Sequence, residues 1–175
     1  VLRGRCLPYG EGITFWPLLT MLREAAVISN EDSPETARAK LQAAVGDTAV
    51  ADRLASAVGL GTDAFPLHEI YWGVRKFLEV LAAEQPVAVI VDDIHWAESA
   101  FLDLLEHLLD SAACAPMLLL ATSRQDLLDE RPQWGEREAS VRLVLKPLTK
   151  ADSAQVIANL LGAVALPAPT VGDAT

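Results

Sequence analysis

Apolar positions along the chain follow two rhythms. Val87 to Val91 is an unbroken apolar run, and Met117 to Ala121 is another. Runs of that length without polar alternation predict strands buried on both faces of a parallel sheet. The first ends abruptly in Asp92-Asp93 and the second in Thr122-Ser123-Arg124, so both expected strands terminate in polar, phosphate-compatible groups. Val141 to Leu145 predicts a further strand, and Val1 to Leu7 a short one interrupted by Arg3 and Arg5.

Between these runs the apolar spacing is helical. Leu18, Leu19, Met21 and Leu22 form one face behind Pro17, which a first helical turn tolerates. Ser33-Pro34-Glu35 is a capping hydroxyl followed by proline, and Asp47 starts a further helix ending near Gly59. Ile70, Val74, Phe77, Leu78 and Leu81 predict one long amphipathic helix leading into the strand at Val87. Phe101, Leu104, Leu105, Leu108 and Leu109 repeat the pattern, with Asp103, Glu106 and Asp110 on the opposing side. Thr149 with Asp152 three residues on resembles a capping box, opening a helix that stops at Gly162. Strands alternating with helices predict an α/β fold.

Composition narrows the function. The 175 residues are 51% hydrophobic, enough for one substantial core. A net charge of −10 and a pI near 4.6 oppose a broad phosphate-backbone footprint, so no direct nucleic-acid contact is expected. No apolar stretch approaches the ~20 residues of a membrane helix and no signal-peptide pattern opens the chain, which favours a cytoplasmic protein with no membrane partner. Cys6 and Cys114 suggest buried free thiols rather than a disulfide framework or a zinc site.

The chemistry concentrates at Asp92 and Asp93. Adjacent carboxylates at the C-terminal end of a buried strand are costly unless a cation separates them, and that edge is where open α/β sheets place ligands. Mg²⁺, which takes one or two carboxylates plus waters and substrate phosphates, is the cation that fits. The bland alternative is a strand end with two solvated acids.

The strand ending in Asp92-Asp93, the following Ile94-His95-Trp96-Ala97-Glu98, the strand ending Thr122-Ser123-Arg124 and Leu145-Lys146-Pro147-Leu148 resemble the signal-transduction ATPases with numerous domains. More narrowly, Arg5-Cys6-Leu7-Pro8-Tyr9-Gly10-Glu11-Gly12-Ile13-Thr14-Phe15-Trp16-Pro17-Leu18 is similar to the AAA-type module of bacterial adenylate/guanylate cyclase fusions and LuxR-type transcription regulators. The resemblance spans residues 1–162. It implies a three-layer P-loop NTPase-like (ASCE) parallel sheet flanked by helices, a helical insertion at about 17–60, and a loose tail over 163–175. It also implies ATP and Mg²⁺ as cofactors and effector domains in the same polypeptide. By the same resemblance Asp92 is the Walker B residue that holds Mg²⁺, Asp93 polarises the attacking water, and Arg124 reads the γ-phosphate. Phosphoryl transfer needs such positioning and charge neutralisation more than covalent help.

His95 and Trp96 admit two readings: a relay of nucleotide state to the next helix, or packing of Trp96 between helix and sheet with a local hydrogen bond at His95. Tyr9, Phe15, Trp16, Tyr71 and Trp72 read as packing aromatics, and His68 and His107 as solvated. The phosphate-binding motif Gly-x-x-x-x-Gly-Lys-Ser/Thr does not occur in the sequence. Against the resemblance, this makes the chain a fragment of a switch ATPase, incomplete at the N-terminus and inactive alone. Two other readings stand beside it. One is a degenerate interaction module independent of nucleotide. The other is a metal-dependent hydrolase using Asp92, Asp93, His95 and Glu98, which the alternation of strand side chains disfavours.

Overall fold

The computed structural model describes residues 1–8, 14–111, 115–137 and 139–161. The chain divides into two compact units, Val1–Ser140 and Val141–Thr175. In the first, β1 (Leu2–Arg5) is followed by α1 (Trp16–Ala25), α2 (Pro34–Val45), α3 (Thr48–Ala57) and α4 (Leu67–Glu84). Then come β2 (Val87–Asp92), a 3₁₀ turn (Ile94–Trp96), α5 (Ser99–Ser111), β3 (Met117–Ala121) and α6 (Asp126–Glu130). The second unit contains α7 (Lys150–Leu161).

The helix starts obey their caps. Ser33 Oγ accepts from the Thr36 amide at 3.2 Å, and Gly46 closes α2 in the left-handed region at φ 74°. Asp47 Oδ1 accepts from the amides of Ala49 and Val50 at 2.8 and 3.2 Å, opening α3. Thr149 and Asp152 cap α7 reciprocally: the Asp152 amide donates to Thr149 Oγ1 at 3.1 Å and the Thr149 amide to Asp152 Oδ2 at 3.3 Å.

The three strands form a parallel sheet in the order β1-β2-β3, with Arg5 opposite Asp92 and Val91 opposite Ala121. Parallel register puts Leu2, Gly4, Val87, Val89, Val91, Met117, Leu119 and Ala121 on one face. That face meets the helices: α1 packs on β1, α4 on β2 and α5 on α4, around a core whose fully buried members include Phe77, Leu22, Leu54, Leu104 and Val91. The opposite face carries Arg3, Arg5, Ala88, Ile90, Leu118 and Leu120. Leu118 is 63% exposed and Leu120 48%. The apolar runs therefore do not mark strands buried on both faces, as the sequence suggests. β2 is half-covered on its second face and β3 is open there, because no helix of this unit lies over it among the described residues.

A second correction concerns Val141 to Leu145. No strand forms there; Val141 is 83% exposed and Leu145 90%. β-branched and aliphatic residues favour a strand only where a neighbouring strand offers a ladder, and none pairs with this segment among the described residues. The expected tail over 163–175 lies outside the described residues.

Gly4 shows how tightly α1 sits. A Cβ built there would lie 2.7 Å from Met21 Cε, 2.8 Å from Pro17 Cβ and 2.9 Å from the Pro17 carbonyl oxygen. The methionine end is able to move, but the backbone carbonyl is not. Gly4→Ala is expected to destabilise the unit by about 1–3 kcal/mol through overpacking, measured as a lower urea midpoint at unchanged m-value.

Candidate functional site

The site is built where β2 and β3 end. The Thr122 amide donates to the Val91 carbonyl at 3.0 Å and the Ile94 amide to the Thr122 carbonyl at 2.9 Å, carrying the ladder past the end of each strand. Thr122 Oγ1 donates to Asp92 Oδ1 at 3.0 Å and accepts from the Asp93 amide at 3.1 Å. Asp93 itself occupies the left-handed region at φ 59°, ψ 40°, a conformation that Asp tolerates better than most residues. The kink turns Asp93 away from the strand axis and feeds the 3₁₀ turn.

Arg5, at the end of the neighbouring strand, takes the Asp93 carboxylate: Nε lies 2.9 Å and Nη2 2.8 Å from Oδ2. The register that puts Arg5 opposite Asp92 makes this reach possible, and the Cys6 amide extends the β1–β2 ladder to the Asp92 carbonyl at 2.9 Å. Burial, reinforced by the Asp93 charge, pushes the Cys6 thiol up to about 12. Above the unfolded thiol's ordinary value of 9.0 the unfolded chain loses a proton that the native chain keeps, so this thiol lowers stability as pH rises from about 9 toward 12. The same thiol is expected to resist iodoacetamide at pH 8 in the native chain and to react on unfolding, as counted by mass spectrometry.

His95, Trp96 and Arg124 form a cluster beside the carboxylates. His95 Nδ1 accepts from the Arg124 amide at 3.4 Å, and the guanidinium carbon of Arg124 stands 5.7 Å from the centre of the Trp96 ring. The two rings are 5.0 Å apart. Trp96 is 44% exposed, so it does not pack between helix and sheet. His95 does make a local hydrogen bond, and α6 packs against the turn that carries it. Thr14 Oγ1 donates to the Glu98 carboxylate, holding the segment before α1 to the start of α5. Phe15 is buried edge-to-face on Phe101 at 6.4 Å. The Tyr71 hydroxyl donates to the Ala100 carbonyl at 2.8 Å and its ring contacts His107 at 5.8 Å. His107 is half-buried rather than solvated, while His68 is exposed. Tyr9 lies outside the described residues.

Asp92, Asp93 and Arg124 thus sit at the C-terminal ends of two adjacent strands, but their side chains have different neighbours. Asp92 meets Thr122, Asp93 meets Arg5, and Arg124 meets Trp96. Among the described residues no three His, Cys, Asp or Glu side chains cluster as metal ligands. Asp92, Asp93, His95 and Glu98 therefore do not converge as the four-ligand reading requires. A single exposed carboxylate suits Mg²⁺ in the presence of phosphates, since that ion keeps most of its waters and takes few protein oxygens. Asp92 is the residue that would hold it. Sequence reading passed over two contributors, Arg5 and Thr122. Arg5 was legible only as an interruption of a strand, and Thr122 only as a polar strand end; cross-strand register assigns their partners.

Open parallel α/β sheets place their ligands at the C-terminal edge, the edge where the acidic and basic groups lie here. The chain belongs to the AAA ATPase domain family, whose model matches residues 1–120. An uncharacterized protein of Rhizobium meliloti (strain 1021) is 30% identical over 156 residues, 82% of this chain and 15% of that protein. The chain thus spans well under a fifth of that relative's length. No solved structure matches. No helix among the described residues is long and apolar enough to cross a membrane.

Proposed function

We propose that these residues form the metal-holding and phosphate-sensing part of a switch ATPase of the signal-transduction type, with the phosphate-binding loop supplied by polypeptide outside residues 1–175. The observation that carries this reading is the gathering of Asp92, Asp93, Thr122 and Arg124 at the ends of β2 and β3. In it Asp92 holds Mg²⁺, Asp93 orients water, and Arg124 reads the terminal phosphate with a planar guanidinium suited to phosphate oxygens. Mg²⁺ would supply charge neutralisation at the phosphates. Arg5 contacts only Oδ2 of Asp93, which leaves Oδ1 to accept from water. Effector domains in the same polypeptide would read the state of the site. The open outer edge of β3 and the exposed Leu118 and Leu120 suit a sheet with a further strand and a further helix layer.

The test is a titration with labelled ATP and Mg²⁺. Residues 1–175 alone are expected to show no saturable binding below about 1 mM, and a longer chain carrying a Gly-Lys-Ser/Thr loop to bind in the range of ordinary enzyme substrates. Micromolar binding by residues 1–175 alone would overturn the assignment of the phosphate site to another segment. The same exposed sheet face favours a second reading, a module that signals through protein contacts without nucleotide. Under that reading the longer chain also fails to bind.

A further inference from the structure

The contacts of Arg124 point to a function for the two residues that follow the acidic pair. Its backbone is tied through the amide to His95 Nδ1, and its guanidinium rests on the exposed Trp96 face. With Nδ1 accepting, Nε2 is the ring's donor, and it is buried without a hydrogen-bond partner among the described residues. A buried orphan donor is retained at a cost, so the ring is held in place by its surroundings rather than by its own hydrogen bonding.

We propose that His95 and Trp96 are positioning residues for Arg124: they seat its guanidinium on the Trp96 ring in the ligand-free state and release it to a phosphate-bearing ligand. The inference rests on the ATPase reading for the ligand's identity, not for the seat itself. An exposed cation–π contact is weak beside a charge-assisted hydrogen bond to a phosphate oxygen, so the exchange runs toward the ligand. With the seat removed, the ligand has to order a freely rotating Arg124 side chain on binding. That penalty falls on binding rather than on the chemical step.

Two arms test the proposal. In the first, residues 1–175 are labelled with 5-fluorotryptophan and the Trp96 resonance is assigned with Trp96→Phe. Arg124→Ala in the ligand-free chain is expected to move that resonance and leave those of Trp16, Trp72 and Trp134 in place. Because the His95 ring itself lies 5.0 Å from Trp96, His95 is tested by the shift that Arg124→Ala adds, which should be small in His95→Ala and restored in His95→Asn, which keeps an acceptor near the Nδ1 position. A Trp96 resonance indifferent to Arg124→Ala overturns the seat whatever binds. In the second arm, the full-length protein with Trp96→Ala is expected to bind Mg-ATP about 3- to 10-fold more weakly at nearly unchanged kcat, with Trp96→Phe close to wild type. Equal binding by wild type and Trp96→Ala overturns the release step. Absence of all binding by the wild type, with the first arm positive, overturns the ATPase reading and leaves the seat standing.

Discussion

Asp93→Asn in the full-length protein is expected to lower ATP turnover by about 100- to 10,000-fold while leaving nucleotide affinity within about threefold. The substitution keeps the size of the side chain and removes only the charge that, in the proposed function, orients water. It is also conformationally quiet. Asp93 stands at φ 59°, ψ 40°, and Asn is one of the few residues that enters this region readily, so the kink into the 3₁₀ turn survives. The Asp93 amide still donates to Thr122 Oγ1. What changes is Arg5, which loses a charged partner. Steady-state hydrolysis measured beside equilibrium binding separates the outcomes. Equal loss of both would assign Asp93 to architecture, and unchanged turnover would take the catalytic reading away altogether.

Amide exchange along β3 is expected to alternate with a two-residue period. The Val87 amide donates to the Pro116 carbonyl and the Thr122 amide to the Val91 carbonyl, which fixes the phase of the ladder: Leu118, Leu120 and Thr122 direct their amides at β2. Leu119 and Ala121 direct theirs at the open edge. The first set should exchange through opening of the sheet, and the second at rates set by local solvent access, a difference of several orders of magnitude when the unit is stable by about 5 kcal/mol or more. In a longer chain that supplies the adjoining strand, Leu119 and Ala121 should become slow as well. Hydrogen exchange read by NMR decides it. Slow exchange at all five amides in monomeric residues 1–175 would mean the edge is already covered, and the proposal of an additional strand would fall. The open edge also predicts self-association of residues 1–175 at high concentration.

Period and punctuation carried most of the fold. The stripe of Ile70, Val74, Phe77 and Leu78 became the core-facing side of α4, and Ser33, Asp47 and Thr149 each capped the helix they announce. These signals are local: one turn of chain contains cap and donor. The strand at 141–145 failed because a strand is not a local object. Val141, Leu143, Val144 and Leu145 have the composition, but composition without a ladder leaves them in solvent. At the site, Asp92, Asp93 and Arg124 were legible as polar groups ending apolar runs. The partners of Arg5 and Thr122 were not, since these contacts join residues 88 and 30 positions apart in sequence through strand register alone. Of the two readings of Trp96, packing failed for a related reason: the direction of the turn, set here by the kink at Asp93, is not written in the local sequence.

Thr122 gives the two strand ends a shared rigidity. One hydroxyl group clasps both the Asp92 carboxylate and the Asp93 amide, and the backbone on either side of it belongs to the ladder. A displacement of β3 along its axis is therefore passed to the acidic pair as a shift of the whole clasp rather than absorbed as slack in a loop. Whatever is sensed at the phosphate end would leave this unit as a small translation of a stiff bar, and Thr122→Val, which keeps the shape of the side chain but loses the hydroxyl, would turn that bar into a hinge.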